Sequence, residues 1–316
     1  MANVIIRAEA LEKQYMKHKV LKQASFAIRE GMICGLIGPN GAGKTTIMKI
    51  LGGLVFPTGG EISIYGGRSE KELAKARGRM SFMIETPYAN QALSARENLE
   101  KQRLQKGIPD AGRVDEVLQL VGLSEVGKKP VSKFSLGMKQ RLGIAISLLS
   151  KPEIMVLDEP VNGLDPEGIV EIRELLLRLN QEEHITILIS SHILSELALL
   201  CTDYIFIQDG QIRQQVSQDE LQRLCKKYYH IHTNQDAVAL TVLEQELGIR
   251  DYDVEEDGSI RVYEKLDCQE QISRTLYAHD VVPVELHICE ANLEQYYMHM
   301  EGENDGEHNQ GNMVSA

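Results

Sequence analysis

The sequence predicts an α/β fold: a parallel sheet with an antiparallel β subdomain beside it and a helical insert between its strands, followed by a small α+β domain. Three observations carry that expectation. GPNGAGKTT, Gly38 to Thr46, lies between a short apolar run, MICGLI, and TIMKILGGL, whose apolar residues recur at helical spacing. Two further apolar runs, EIMVLDEP and ITILISSH, are separated by amphipathic helical sequence, as in βαβ units. After about Ser217 the pattern turns to β-α-β-β-α-β, the order of a two-layer domain with its own core.

Taken in order, residues 4 to 30 alternate as strands do, in VIIRAEAL and KVLKQASFAI, with EKQYMKH as the connection; EISIYG extends the same antiparallel sheet. From Lys71 to about Leu149 the periodicity is helical in KELAKARGRM, ARENLEKQRLQ, AGRVDEVLQLVGL and SLGMKQRLGIAISLL, broken by Pro87, Gly107 to Pro109, and Pro130. The helical subdomain is expected over about 87–149. The sheet resumes at Ile154 to Leu157, followed by helix IVEIRELLLRLNQEE, strand ITILISSH, helix ILSELALLC, strand DYIFIQDG and hairpin partner QIRQQVS. These place one domain at 1–217 and an accessory α+β domain at 218–300. Residues 301–316 are polar and glycine-rich and read as a disordered acidic tail.

Composition bounds the function. At 316 residues two domains are expected, and 25% charged with 43% hydrophobic residues is ordinary for a soluble chain. A net charge of −12 argues against nucleic acid bound through a general basic field. Five scattered cysteines, odd in number and without C-x-x-C spacing, point to free thiols in a reducing compartment. The N-terminus lacks a secretory pattern, and no run approaches the roughly 18 apolar residues of a spanning helix. A cytoplasmic location follows as the expectation, with any membrane supplied by a partner.

The chemistry starts at Gly38, Gly43, Lys44 and Thr45, which satisfy the phosphate-loop pattern G-x-x-x-x-G-K-[ST]. Small residues let successive backbone N–H groups turn inward onto a polyphosphate at a helix N-terminus. Lys44 can reach the β- and γ-phosphates, and the Thr45 hydroxyl can hold Mg²⁺. Asp158 and Glu159 stand where a parallel sheet presents its ligand crevice. Asp158 suits a Mg²⁺-associated carboxylate; Glu159 suits orienting and deprotonating the attacking water. His192, ending ISSH, would lie beside the γ-phosphate if the two strands are neighbours. Ser135 and Gly137, opening a helix, offer a second set of free N–H groups. Because the first loop already cradles a phosphate, this second helix end suits the nucleotide of another copy, in a head-to-tail dimer. Tyr15 either stacks on adenine or covers a sheet edge.

The order of phosphate loop, serine-glycine signature, acidic strand, N-G-L-D and strand-end histidine resembles the nucleotide-binding subunit of an ABC transporter, over about Val4 to Ser217. The resemblance implies a P-loop NTPase (ABC ATPase) fold, ATP and Mg²⁺ as ligands, and ATP held between two copies of the chain. It makes GPNGAGKTT, including Asn40, Gly41 and Thr46, the Walker A loop, and IMVLDE Walker B. FSLGM stands where the family has L-S-G-G-Q, Asn162 to Asp165 is the D-loop, His192 the switch histidine, and Tyr15 the adenine-stacking residue. Two departures stand out. Leu136 and Met138 replace the first glycine and the glutamine of the signature, and Glu85 takes the Q-loop glutamine position, where its carboxylate still offers oxygens to Mg²⁺ or water. These features resemble the bacitracin- and lantibiotic-resistance branch, whose ATPases carry an E-loop. That branch implies integral membrane permease subunits as partners, a peripheral position on the inner face of the plasma membrane, and a peptide antibiotic as cargo. The alternative, a soluble ABC-type factor acting on ribosomes or DNA, usually has two nucleotide modules or a long coiled coil; neither is in this chain.

Overall fold

Residue 37 ends a strand and residue 44 begins a helix, and the sheet around that junction is the frame of the larger unit. The computed structural model describes residues 3–84, 89–224, 227–255, 257–290, 293–298 and 300. Contacts divide the chain into Met1–Gln218 and Asp219–Ala316.

In the first unit, β1 (Val4–Tyr15) and β2 (His18–Arg29) form a long antiparallel hairpin, and β4 (Gly59–Ile64) pairs with the other edge of β1. The turn shrinks to Met16 and Lys17, so most of EKQYMKH is strand rather than connection, and Tyr15 is the last residue of β1. The second sheet runs β5 (Met80–Met83), β6 (Ile154–Asp158), β7 (Thr186–Ser190), β3 (Ile33–Ile37), β8 (Asp203–Gln208) and β9 (Gln211–Ser217). All neighbours are parallel except the closing β8–β9 hairpin. β3, β6 and β7 are buried along their whole length, as expected for strands covered on both faces. β5 corrects the helical reading of residues 71–80: the helix there, α2 (Glu70–Arg77), stops at Gly78, and Met80 opens a strand paired with Ile154.

Helices start where the sequence supplies caps. α2 and α3 (Ala95–Gln105) each carry a reciprocal capping box, Ser69 with Glu72 and Ser94 with Glu97. α4 (Gly112–Leu120) and α5 (Leu136–Leu148) complete the insert, and Ser135 caps α5 by accepting the Met138 amide at 3.2 Å. α6 (Pro166–Gln181) is capped by Asp165, with proline at its first position. α1 (Lys44–Leu51) follows the phosphate loop directly, and α7 (Leu194–Leu200) links β7 to β8.

The second unit starts with α8 (Gln218–Leu224), which straddles its boundary. Then come β10 (Lys227–Thr233), α9 (Asp236–Leu247), β11 (Tyr252–Val254), β12 (Ile260–Val262), α10 (Gln269–Ala278) and β13 (Pro283–Glu290), with residues 293–298 helical after them. Its antiparallel sheet is ordered β11-β12-β10-β13. Tyr229 and Ile231 of β10 pack with Leu243, Ile272 and Leu276 of the two helices in a separate core. This is the β-α-β-β-α-β order that the alternation indicated.

Candidate functional site

The loop between β3 and α1 turns through two left-handed glycines, Gly41 at φ 85° and Gly43 at φ 111°. Gly43 has a second constraint: a Cβ there would stand 2.7 Å from Leu21 Cδ2. Lys44, the first residue of α1, is only 6% exposed, and its ammonium donates to the carbonyls of Gly38 at 2.6 Å and Pro39 at 3.2 Å. Burial lowers its pKa, and the nearby charges of Glu159 and Asp158 push the other way. The cation is thus held inside the concavity that a phosphate would enter.

Parallel pairing brings the acidic strand end against the histidine strand. Asp158 closes β6 opposite Ser190, which closes β7. Both Asp158 oxygens are engaged: Thr45 Oγ1 donates to one at 2.7 Å and Ser190 Oγ to the other at 2.6 Å. Glu159 bends out of the strand at φ 51°, with its amide donating to the Ser190 hydroxyl at 3.0 Å and carbonyl at 3.2 Å. Its carboxylate then lies 2.7 Å from His192 Nδ1. Ser190 is wholly buried, and none of the sequence motifs includes it. The available signal was a hydroxyl at a strand end parallel to a D-E pair.

A cavity of about 660 Å³ opens over this group. Asn40, Gly41, Gly43, Lys44, Thr45, Thr46, Asp158 and Glu159 line it, together with His18, Val20, Leu136, Gln140 and Asn162, which the motifs did not single out as wall residues. Tyr15 does not line it; the residue is 44% exposed, with Lys13 Nζ 4.9 Å from the ring centroid. Ser135 and Gly137 line a different cavity, of about 440 Å³, with Leu136, Met138, Gly163 and Asp165. Glu85 falls outside the described residues.

The donor set fits Mg²⁺. Thr45 Oγ1 and Asp158 Oδ2 are hard oxygens side by side, and this ion is usually bound through one or two protein oxygens, with phosphate and water completing the octahedron. Among the described residues no group of three or more His, Cys, Asp or Glu side chains could hold a metal without such help.

A doubly wound sheet with a phosphate loop after one strand, a metal-ready carboxylate on the next but one, and a carboxylate–imidazole pair at the same edge defines a nucleotide-hydrolysing phosphate-loop ATPase. Residues 21–162 match the ABC transporter family. The chain is 40% identical over 302 residues, 95% of its length and 98% of the other's, to the bacitracin transport ATP-binding protein BcrA of Bacillus licheniformis. It is 45% identical over 210 residues, 66% of its length and 89% of the other's, to the lantibiotic transport ATP-binding protein SrtF of Streptococcus pyogenes. CbiO1 of Clostridium perfringens, part of an ABC transporter complex, superposes with a TM-score of 0.65 at 26% identity, over 77% of this chain and 96% of that one. A dimeric ATP-binding cassette in a post-hydrolysis state with ADP and Pi gives 0.61 at 26% identity, over 68% of this chain and 99% of that one. The chain belongs to the ABC transporter family and is an ATP-binding, ATP-hydrolysing subunit of it. No helix among its described residues is long and apolar enough to cross a membrane.

Proposed function

We propose that this chain powers an ABC transporter that exports a peptide antibiotic, or removes it from the membrane, as self-protection or resistance. The names of the bacitracin and lantibiotic relatives support that cargo class. Two copies close on two MgATP and open after hydrolysis, pushing on integral membrane permease subunits, so the chain works peripherally on the inner face of the plasma membrane. The dimeric cassette of similar fold supports the paired arrangement. In this reading 1–217 is the motor and 218–300 an accessory domain.

The observation that carries the catalytic assignment is the Glu159–His192 contact at 2.7 Å, beside a Thr45–Asp158 pair at 2.7 Å. Glu159 accepts a proton from the attacking water, while its amide, bonded to Ser190, fixes where the carboxylate can point. His192 orients that carboxylate and reaches toward the γ-phosphate. Lys44 and the loop amides neutralise the phosphates; Thr45 and Asp158 would hold Mg²⁺, which would add charge neutralisation when bound. Ser135 and Gly137 meet the second copy's nucleotide, Tyr15 stacks on adenine, and Glu85 adjusts the response to the membrane partner. The −12 charge supports a role without nucleic acid.

E159Q should retain ATP binding, accumulate an ATP-dependent dimer in size-exclusion chromatography, and lose about a thousandfold in turnover, the scale of removing a general base and the charge it places. Turnover at the wild-type rate would remove Glu159 from the base role. For the cargo, cells lacking the intact transporter should become sensitive to members of a bacitracin and lantibiotic panel. Unchanged growth across that panel would overturn the peptide-antibiotic assignment.

A further inference from the structure

Leu136 is an apolar side chain at a place where the family resemblance expects glycine, and it is 43% exposed. It is also a shared wall: it lines both the nucleotide cavity and the neighbouring cavity that holds Ser135. Its packing explains the second role. Gly163, in the loop after Glu159, has a left-handed φ of 75°, and a Cβ there would stand 3.1 Å from Leu136 Cδ2. The converse approach is looser: Leu164 Cδ2 lies 3.8 Å from where a Gly137 Cβ would be. Each leucine therefore sits over the other segment's glycine.

The 159–165 loop is tied to the backbone of Glu159, which it follows. Asn162 N donates to the Glu159 carbonyl at 3.2 Å, and Leu164 N to the Val161 carbonyl at 3.2 Å. Farther along, Asp165 caps α6 through Gly168 N at 3.1 Å, and an Arg141–Glu171 ion pair joins α5 to α6. A continuous path of packed and bonded groups thus runs from Glu159, through Gly163 and Leu136, to the Ser135 cap.

We infer that Leu136 is a positioning residue that locks the loop after Glu159 to the start of α5, so that a shift at one phosphate site is passed within the same subunit to the Ser135 surface serving the other. This rests on the proposed two-copy arrangement. A glycine at 136 would leave the loop without that side chain to bear on, and the two segments could move independently. Interlocked apolar contacts suit such a role because packed groups switch between discrete arrangements rather than deforming smoothly.

The test is steady-state ATPase kinetics on the full-length chain. L136A should lower kcat about tenfold with KM within about twofold, whereas L136M, which keeps the length and apolar character, should stay within about twofold of wild type. L164A cuts the same lock from the other side, so L136A/L164A should be no slower than the slower single variant. Wild-type kcat in L136A, a loss carried by KM alone, an equal loss in L136M, or losses that multiply in the double variant would each overturn the inference. Absence of ATPase activity in the wild-type chain would instead overturn the hydrolytic reading beneath it.

Discussion

The two units of this chain differ sharply in charge. Residues 1–218 carry 27 Lys and Arg against 25 Asp and Glu, while residues 219–316 carry 7 against 21. They differ equally in how polar groups are used. In the first unit, Thr45, Asp158, Ser190, Glu159 and His192 are bonded to one another beyond the C-terminal ends of β6 and β7. In the second, charged pairs such as Arg274–Glu270, 79% and 80% exposed, lie out in solvent around an apolar core. Exposed pairs of that kind contribute little to stability. Buried, mutually bonded polar groups occur in both units, Ser259 with Glu255 and Asp257 in the second; what sets the first unit's group apart is that Thr45, Asp158 and Glu159 line a cavity beside the phosphate loop.

That contrast can be broken in three ways. The largest effect should come from D158N, which removes the charge facing Thr45 and should cut MgATP turnover by about three orders of magnitude, as several kcal/mol of metal-borne charge stabilisation are lost. Turnover assays across a Mg²⁺ series would check it, and near-normal activity would separate the polar cluster from the chemistry. Second, I272A, which opens a cavity in the second unit's core, should destabilise that unit by about 3 kcal/mol while nucleotide affinity stays unchanged. Calorimetry paired with ATP-analogue titration would show it; a parallel loss of affinity would mean that the units are not separable in this sense. The smallest effect concerns thiols. Cys34 and Cys201 are buried, and desolvation raises both thiol pKa values well above the ordinary range, while Cys268 and Cys289 are partly exposed. Brief alkylation at pH 8 followed by peptide mapping should label Cys268 and Cys289 at least about tenfold faster than the buried pair. Equal labelling would contradict the burial of the first unit's core.

The legible parts of this protein are those encoded locally. The phosphate loop could be read because its glycines specify left-handed backbone at Gly41 and Gly43, and the capped helix at Ser135 because a serine before an apolar period marks a helix start. The β-α-β-β-α-β order of the second unit was likewise written in its alternation. β5 was not legible: MSFM is four residues long, directly after a helix, and is a strand because β6 offers it a parallel edge. Ser190 was missed for the same kind of reason. A serine in ILIS acquires meaning only when pairing sets it across from Asp158, 32 residues away in sequence. The wall residues His18 and Val20, both in β2, and Leu136, at the start of α5, come from two distant segments, and no single window contains all three.

The double engagement of Asp158 has one more consequence. Hydroxyls from α1 and β7 fix its carboxylate on both sides, so its orientation is set when the sheet forms rather than when a cation arrives. Thr45 and Asp158, the residues that would hold a cation, are already side by side and oriented. Preorganisation of this kind moves an entropic cost from each turnover to a single folding event, which suits a motor that must cycle many times.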